Sequence, residues 1–189
     1  MIENNFLIEL FLYFARFPKR EGIHPMFNLG DSDIEGYDTL KSIINEMKDH
    51  SLTNIQNYIF GANLQAIKER VNNITAGSDY LFIDFGEIGC GVDSKNRMTD
   101  SASLAISVAY RVSNFSADLI EQTLAFSRSL DNLVIIRNKM IQEQKCHPWM
   151  TDISDEHTFV PFVAEDLNSL GWTLMFNREG YDSFDAKKP

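Results

Sequence analysis

The sequence predicts an α+β fold: a small antiparallel or mixed β-sheet with a long hairpin, packed against helices, plus an N-terminal helical extension. Between Asp79 and Asn114, two strand-like segments are joined by a long glycine-bearing loop, and a long helical pattern follows. Residues of the second strand alternate with the period of a pleated strand. Its large apolar set is Leu104, Ile106, Val108, Tyr110 and Val112, and its small or polar set is Ser103, Ala105, Ser107, Ala109 and Arg111. A hairpin whose large side packs on helices is typical of the α+β class.

The first predicted element is a helix from Phe6 to Phe17, with apolar residues around nearly its whole circumference. Pro18 ends it, because proline cannot continue an α-helix. A helix that is apolar on several sides is buried in the core, docked on another subunit or, as the least favoured interpretation, attached to a membrane surface, and these interpretations stay open at this point. The next segment, from Lys19 to Tyr37, contains Pro, Gly and Asp residues and is predicted to be a loop.

Helical spacing resumes at Asp38 and again from Leu52 to Val71. A strand from Tyr80 to Glu87, a loop from Ile88 to Asp100 and the alternating strand from Ser103 to Val112 follow. We expect helices to cover the large face of this hairpin. The small face is flat enough for a neighbouring backbone or subunit to lie on it.

A long helix is predicted from Ser116 to Gln144, capped by Asn114 or Ser116. Its apolar residues recur at helical spacing and are Leu119, Ile120, Leu124, Leu130, Leu133, Val134, Met140 and Ile141. A short apolar run from Phe159 to Val163 and a last alternating strand, with Trp172, Leu174 and Phe176 on one face, complete the chain. The predicted order is α, α, α, β, β, α, β, β.

The chain has 189 residues, of which 44% are hydrophobic, and this suffices for a sizeable core. We assign residues 1–50 to the N-terminal helical extension, residues 51–180 to the α+β domain and residues 181–189 to a loose polar tail.

The composition also limits the classes of partner that the chain can bind. The 17 Lys and Arg residues against 27 Asp and Glu give a formal charge of −10, so we expect no specific nucleic-acid binding. No apolar run reaches the roughly 20 residues that span a bilayer, so we expect no membrane partner. Cys90 and Cys146 are too few for a disulfide framework, which favours a reducing cytoplasm, although one bridge between them stays open.

Residues 81–91, LFIDFGEIGCG, resemble the phosphate-binding hairpin of the actin, hexokinase and chaperone ATPase superfamily. In that hairpin, backbone amides cradle phosphate while the Asp holds a metal. Glu87 stands where those ATPases have a hydroxyl residue, and Asp84 and Glu87 point to opposite faces of a strand. A nucleotide-binding protein is therefore the least favoured alternative.

Two adjacent pairs, Cys146 with His147 and Glu156 with His157, lack the spacing of metal ligands or of a nucleophile and its base. The sequence contains no motif of a known catalytic site. We therefore expect no catalytic residue, no cofactor and no metal.

The order of elements from residue 52 to residue 178 resembles the tail-terminator or tail-completion proteins of tailed bacteriophages. The likeness rests on a helix, a strand, a loop with Arg97, the alternating strand, a long helix, and a final strand introduced by Gly171 and Trp172. It implies a non-enzymatic virion structural protein, a tail terminator or head-tail connector subunit. Such proteins form a homo-oligomeric ring, typically hexameric, that joins the tail to the head.

The resemblance implies other phage tail or neck proteins as partners, and a location in the cytoplasm of the bacterial host, in the virion, or in both. The alternative from another class is a host adaptor or protein-interaction domain. The parts best suited to contact a neighbouring subunit are the long loop, which can reach, and the small strand face, which lets a backbone approach. The candidate interface residues are Gly89, Gly91, Arg97, Ala105, Ser107 and Ala109.

Overall fold

A computed structural model describes residues 6–27, 32–48, 51–115, 118–150, 153 and 156–181, and these contain five helices and six strands. The helices are α1 (Phe6–Ala15), α2 (Arg20–Phe27), α3 (Tyr37–Glu46), α4 (Leu64–Asn72) and α5 (Leu119–Glu143). The strands are β1 (Asn57–Gly61), β2 (Asp79–Asp84), β3 (Ile88–Val92), β4 (Met98–Arg111), β5 (Thr158–Ala164) and β6 (Ser169–Tyr181). Two short 3-10 turns span Pro148–Met150 and Glu165–Leu167.

All six strands belong to one mixed sheet with the order β1-β2-β4-β6-β5, and β3 pairs with the first part of β4. Only β1 and β2 are parallel, and the other pairs are antiparallel. The crossover that a parallel pair requires is α4, which lies between the two strands in sequence. The predicted α+β class, with a long hairpin and a small mixed sheet, is confirmed.

The central strand β4 has the two faces that its alternation predicts. Leu104, Ile106 and Val108 are buried in the principal core, where residues of α1 and α5 pack on this face of the sheet. Neighbouring strands add Leu81, Ile83, Leu174 and Phe176 to the same core, and the two helices add Leu10, Phe14, Leu133 and Ile136. Burial of each such side chain stabilises the fold by about 1.5–3 kcal/mol.

The opposite face of the sheet carries a second core, formed by β1, β2, α4 and the turn Glu165–Leu167. Its buried residues include Ile59, Ile67, Val71, Phe82, Ala109 and Leu167. The expectation that helices cover only one face of the hairpin is therefore wrong. The reason is topological, because the α4 crossover packs on the face opposite to α1 and α5.

The helix predicted from Leu52 to Val71 is wrong in its first half. Its residues 57–61 form β1, and only residues 64–72 are helical. Ile55 and Ile59 have helical spacing, but the sequence Asn57–Gly61 is rich in aromatic and β-branched residues, which fit a strand. Asn63 separates the two elements, since its side chain accepts a hydrogen bond from the backbone N–H of Ala66, 2.8 Å away, and caps α4.

Two predicted loops contain regular structure. The segment from Lys19 to Tyr37 includes α2 at Arg20–Phe27. The segment from Ile88 to Asp100 is not an open loop, because it contains β3, a tight turn and the first residues of β4. Glycines at positions 89 and 91 lower strand propensity but leave backbone pairing intact.

Of the predicted N-terminal extension, residues 1–50, α1 shares the principal core with the sheet. Phe14 and Phe17 are fully buried, and the Tyr58 hydroxyl of β1 donates a hydrogen bond of 2.9 Å to the carbonyl of Phe11. The core interpretation of this helix is therefore confirmed. Of the predicted tail, residues 182–189 lie outside the described residues.

Helix α5 is anchored to the sheet at several points. Asp118 caps it by accepting from the backbone N–H of Ile120 at 2.8 Å. The Trp172 indole donates to the carbonyl of Phe126 at 3.1 Å, and Arg128 pairs with the buried carboxylate of Asp79 at 2.6 Å. Burial raises the pKa of Asp79, although the Arg128 charge acts in the opposite direction. The cap predicted at Asn114 or Ser116 is wrong, because Asp118 is the N-cap and α5 begins at Leu119; Ser116 lies outside the described residues.

The apolar residues predicted for α5 lie on two different faces of the helix. Leu133 and Met140 are buried, together with Ala125 and Ile136. The exposed members are Leu119, Ile120, Leu124, Val134 and Ile141. The apolar set predicted as one stripe of α5 therefore contains both buried and exposed residues.

Gly171 allows β6 to lie close against β4. It pairs with Ala109, and a Cβ atom at this position would lie 2.1 Å from the carbonyl oxygen of Val108. No side chain fits there, so the glycine is required by close approach of two backbones.

The end of α5 is tied to α1 by a group of charges. Arg16 donates to Glu143 at 3.1 Å, and Lys139 lies 2.8 Å from the same carboxylate oxygen. Partial burial, the largest single effect, raises the pKa of Glu143, but the hydrogen bonds from Arg16 and Lys139 together outweigh it and lower the pKa from 4.5 to about 2. The ionised carboxylate is thus stabilised in the folded state.

This lowered pKa predicts a window of acid sensitivity. The stabilisation is complete above the pKa of 4.5 in the unfolded chain and is lost as pH falls toward about 2. We expect the free energy of unfolding of the parent chain to fall more steeply over this range than that of Glu143→Gln, measured by urea titration at each pH. Glu35→Gln, which changes an exposed carboxylate, is the matched control for net charge. Equal slopes for the parent and Glu143→Gln would contradict the assignment.

Candidate assembly surface

The β3–β4 hairpin carries three of the six predicted interface residues, Gly89, Gly91 and Arg97. Asp93 closes its turn, because its carboxylate accepts from the backbone N–H groups of Lys95 and Arg97 at 2.7 and 2.9 Å. The Arg97 side chain also binds Asp93, with Nε 2.7 Å and Nη2 2.6 Å from Oδ2. The backbone and side-chain hydrogen bonds from Arg97 lower the pKa of Asp93. Arg97 thus forms an ion pair within its own turn.

The hairpin has one apolar and one flat face. Ile88, Val92 and Met98 are exposed on the face that continues the principal core, and Cys90 lies between the first two on the same side. We call Ile88, Cys90, Val92 and Met98 the hairpin patch. The opposite face carries the exposed residues Gly89, Gly91 and Ser101 with half-buried Thr99.

Glycine at position 86 allows the chain to bend between β2 and β3. Its φ is +49°, in the left-handed region, and a Cβ atom would lie 2.4 Å from the carbonyl oxygen of Ser103. At Gly89 a Cβ atom would lie 2.7 Å from the Ser101 Oγ, which can rotate away. The conformation thus requires glycine at position 86 more strictly than at position 89.

A buried ion pair holds the base of the hairpin to the rest of the sheet. Arg178 of β6 donates to Asp100 of β4 at 3.1 Å, and both side chains are almost completely buried. The guanidinium carbon also lies 5.3 Å from the centre of the Phe6 ring. Removing one partner would leave an uncompensated buried charge, at a cost of about 3–5 kcal/mol. The pair therefore ties the base of the hairpin to β6.

The structure divides the predicted interface residues into two groups. Gly89, Gly91 and Arg97 are exposed on the hairpin, and Ala105 is half-buried. Ser107 and Ala109 are buried inside the chain: the Ser107 and Thr173 hydroxyls are 2.7 Å apart, and Ala109 belongs to the second core. These last two are therefore removed from the candidate surface, because both are buried within the chain.

A second exposed apolar surface, which the sequence patterns did not predict, lies at the start of α5. Leu119 is 80% exposed and Ile120 is 72% exposed. We call these two residues the helix-start patch. The sequence carried no signal that separated these residues from the core stripe, because an ordinary apolar helix face also includes adjacent positions such as i+3 and i+4. The prediction counted them as part of the core stripe.

A cleft of about 1240 Å³ lies beside β1, between the beginning of α2 and the end of α4. Its lining includes Lys19, Arg70, Asn54, Asn57 and Asn73, with a single acidic side chain. The cleft is therefore locally cationic on an acidic chain. It was not predicted, because its residues come from segments that were assigned to one loop and one continuous helix.

The residues of the phosphate-hairpin resemblance take another arrangement. The Asp84 carboxylate accepts a hydrogen bond of 2.9 Å from the N–H of Gly86, the amide that would have to cradle a phosphate. Desolvation by burial raises the pKa of Asp84, and this hydrogen bond partly opposes the shift. The local turn thus satisfies the amide within the chain.

Within the described residues, Cys90 and Cys146 are both exposed and free. No group of three or more His, Cys, Asp or Glu side chains in this part of the chain could hold a metal ion. The ring of His147 packs edge-on against Tyr13, with centroids 5.0 Å apart. In the same part of the structure, no helix combines the length and apolar character needed to cross a bilayer.

Comparisons of the chain with models of protein families, with curated proteins and with solved structures find no match.

The occupied amide of Gly86 predicts that magnesium ATP does not bind at this hairpin. We expect titration calorimetry of the parent chain to show no saturable heat at micromolar protein. Asp84→Ala releases the amide and serves as the matched variant, and we expect it to be silent as well, because no hydroxyl residue follows the glycine. Saturable binding by the parent that is lost in Asp84→Ala would place a nucleotide site here.

Proposed function

We propose that the chain is a non-enzymatic structural subunit that assembles head to tail into a closed ring, as a tail terminator or head-tail connector of a tailed phage. In this role it acts in the cytoplasm of the bacterial host and then in the virion, with tail or neck proteins as partners. The predicted order of elements suggests the family, although residues 57–61 form a strand where a helix was expected and residues 88–92 form a strand where a loop was expected. The surface supports the assembly mode. The carrying observation is that two different exposed apolar patches lie at opposite ends of β4.

The two patches are far apart. The hairpin patch lies at the beginning of β4, and the helix-start patch follows the end of β4 by eight residues. A strand of 14 residues is about 45 Å long. Two copies therefore meet most simply by the hairpin of one subunit contacting the helix start of the next. Such a heterologous contact generates a ring when its rotation closes.

The charge of the chain suits a ring through which DNA passes. A formal charge of −10 on every subunit gives the assembly a strongly negative field. Phosphate groups are repelled by such a wall, because no excess of cations is present to displace their counterions. The genome would then move through the ring without binding to it.

Cys90 provides a direct test, because it lies within the hairpin patch and is exposed. In a Cys146→Ser background, Leu119→Cys supplies a second thiol at the helix-start patch. We expect mild oxidation to give a ladder of covalent multimers that ends in a closed ring, read by non-reducing electrophoresis and electron microscopy. Each subunit carries both thiols at different patches, so the chain of bonds can continue from copy to copy.

The matched control adds Cys90→Ser and should abolish the ladder. Val92→Asp should prevent the parent chain from forming rings while it stays folded, since this side chain is mostly exposed. Covalent products that stop at the dimer would show an isologous contact instead. Absence of any cross-link under conditions where rings form would overturn the head-to-tail arrangement.

A further inference from the structure

The cleft beside β1 is separate from both assembly patches, since none of its lining residues belongs to the hairpin patch or to the helix-start patch. Five consecutive residues, 56–60, line it. Because side chains alternate along a strand, lining by all five indicates that the cleft follows the length of the strand. β1 is an edge strand, paired with β2 alone. The cleft thus has the direction of an extended chain.

Two cations line opposite walls of the cleft, Lys19 next to α2 and Arg70 in the last turn of α4. Within the described residues, neither side chain forms an ion pair or a hydrogen bond. Glu21, the one acidic residue of the described lining, contacts neither of them. The charge of Lys19 also acts on Asp79, but that carboxylate is already in contact with Arg128. The cleft therefore offers two positive charges to a ligand.

Backbone contacts fix the positions from which these cations reach the cleft. The Lys19 N–H donates to the carbonyl of Ile55 at 2.8 Å. The first turn of α2 lies so close to the sheet that a Cβ atom at Gly22 would lie 1.6 Å from the carbonyl oxygen that precedes β1. On the other wall, Arg111 donates to the carbonyl of Asn72 at 2.7 Å and ties the end of α4 to β4. A ligand therefore meets walls that are already in place, which limits the entropy lost on binding.

The uncharged part of the lining matches a polypeptide. Three side-chain amides, Asn54, Gln56 and Asn73, line the cleft and have no hydrogen bond within the described part of the chain. Each amide has both donors and an acceptor, as a peptide group does. Phe11 and Phe60 add an aromatic wall, with their rings edge to face and centroids 5.3 Å apart. Backbone amides and an apolar side chain of a bound peptide would each find a counterpart.

Size and charge favour a peptide over the other anionic ligands. The volume of about 1240 Å³ exceeds the range of about 300–1,000 Å³ that is usual for small-molecule pockets. A nucleic acid would extend beyond the cleft over a chain with a formal charge of −10, which repels phosphate groups. A short acidic peptide places its carboxylates only where the two cations are.

We propose that this cleft binds an acidic segment of a partner protein in an extended conformation. Carboxylates of the segment pair with Lys19 and Arg70, and an apolar side chain packs against Phe11 and Phe60. The contact lies outside both patches of the ring, so it does not rest on the proposed function. A subunit in a ring and a free subunit would bind the segment alike.

Fluorescence polarisation with labelled synthetic peptides of one length tests the proposal. The probes are peptides of Asp and Glu that carry one Phe at each position in turn, and two reference sets replace every acidic residue by Gln or by Lys. We expect saturable binding of acidic members that weakens as salt is added, because the contact is electrostatic. We expect the Lys set not to bind.

Variants of the cations locate the binding in the cleft. Lys19→Glu and Arg70→Glu should each weaken it at least tenfold, whereas Arg70→Lys keeps the charge and should retain most of the affinity. Lys145→Glu is the matched control, since it makes the same change in net charge at an exposed position outside the cleft, and it should bind as the parent does. Neither cation is buried, so the urea midpoint should stay close to that of the parent.

Three results would overturn the proposal. The first is no saturable binding by any acidic peptide, or equal binding of the Gln set. The second is an equal loss of affinity in Lys145→Glu and Arg70→Glu, which would show an effect of net charge alone. The third is tighter binding of inorganic phosphate or of single-stranded DNA than of every peptide, with loss in Arg70→Glu, which would assign the cleft to another class of anion.

Discussion

The fold depends on the backbone hydrogen bonding of β4. This strand pairs with β6 along Thr99–Arg111, and on its other side it pairs first with β3 and then with β2. The edge strands β1 and β5 join the sheet only through β2 and β6. Because side chains alternate along a strand, the register of β4 also decides what each helix covers. Helices α1 and α5 pack on the large residues of β4, and α4 packs on part of its small face. A slip by one residue would exchange the two cores.

The sequence predicted an element correctly where its residues fit only one kind of secondary structure. Ten residues of strict alternation predicted β4, and the long helical period predicted α5, so the α+β class followed. Short segments could be assigned to a helix or to a strand with equal justification. Ile55 and Ile59 have the spacing of a helix, but Tyr58 and Phe60 belong to the strand β1. The candidate surface was half predictable. Gly89, Gly91 and Arg97 were found from the loop between the strands, but burial of Ser107 and Ala109 depends on the side to which α4 crosses, and no local pattern encodes that side.

The two surface patches proposed for assembly lie outside the buried cores, and contacts with the sheet fix their positions. The buried pair Asp100–Arg178 fixes the base of the hairpin, so that its exposed apolar residues project from a rigid support. Asp118 and Trp172 fix the other end, where the helix-start patch begins. Rigid placement matters for a ring, because a closed assembly needs the same rotation at every contact. Substitutions in the buried cores would therefore destabilise the fold, whereas the exposed patches are available to contact other copies of the chain.

The most direct test of the central role of β4 is native-state hydrogen exchange of its backbone amides, followed by NMR. If the sheet depends on this strand, the amides of Ile106 and Val108 exchange only through global unfolding, and their free energy of exchange equals the free energy of unfolding from denaturant titration. Amides of the hairpin at Gly91 and Thr99 exchange through smaller openings. Exchange of Ile106 at a lower free energy than buried Ile136 of α5 would contradict the account, because it would show that the strand opens while the helix layer stays folded.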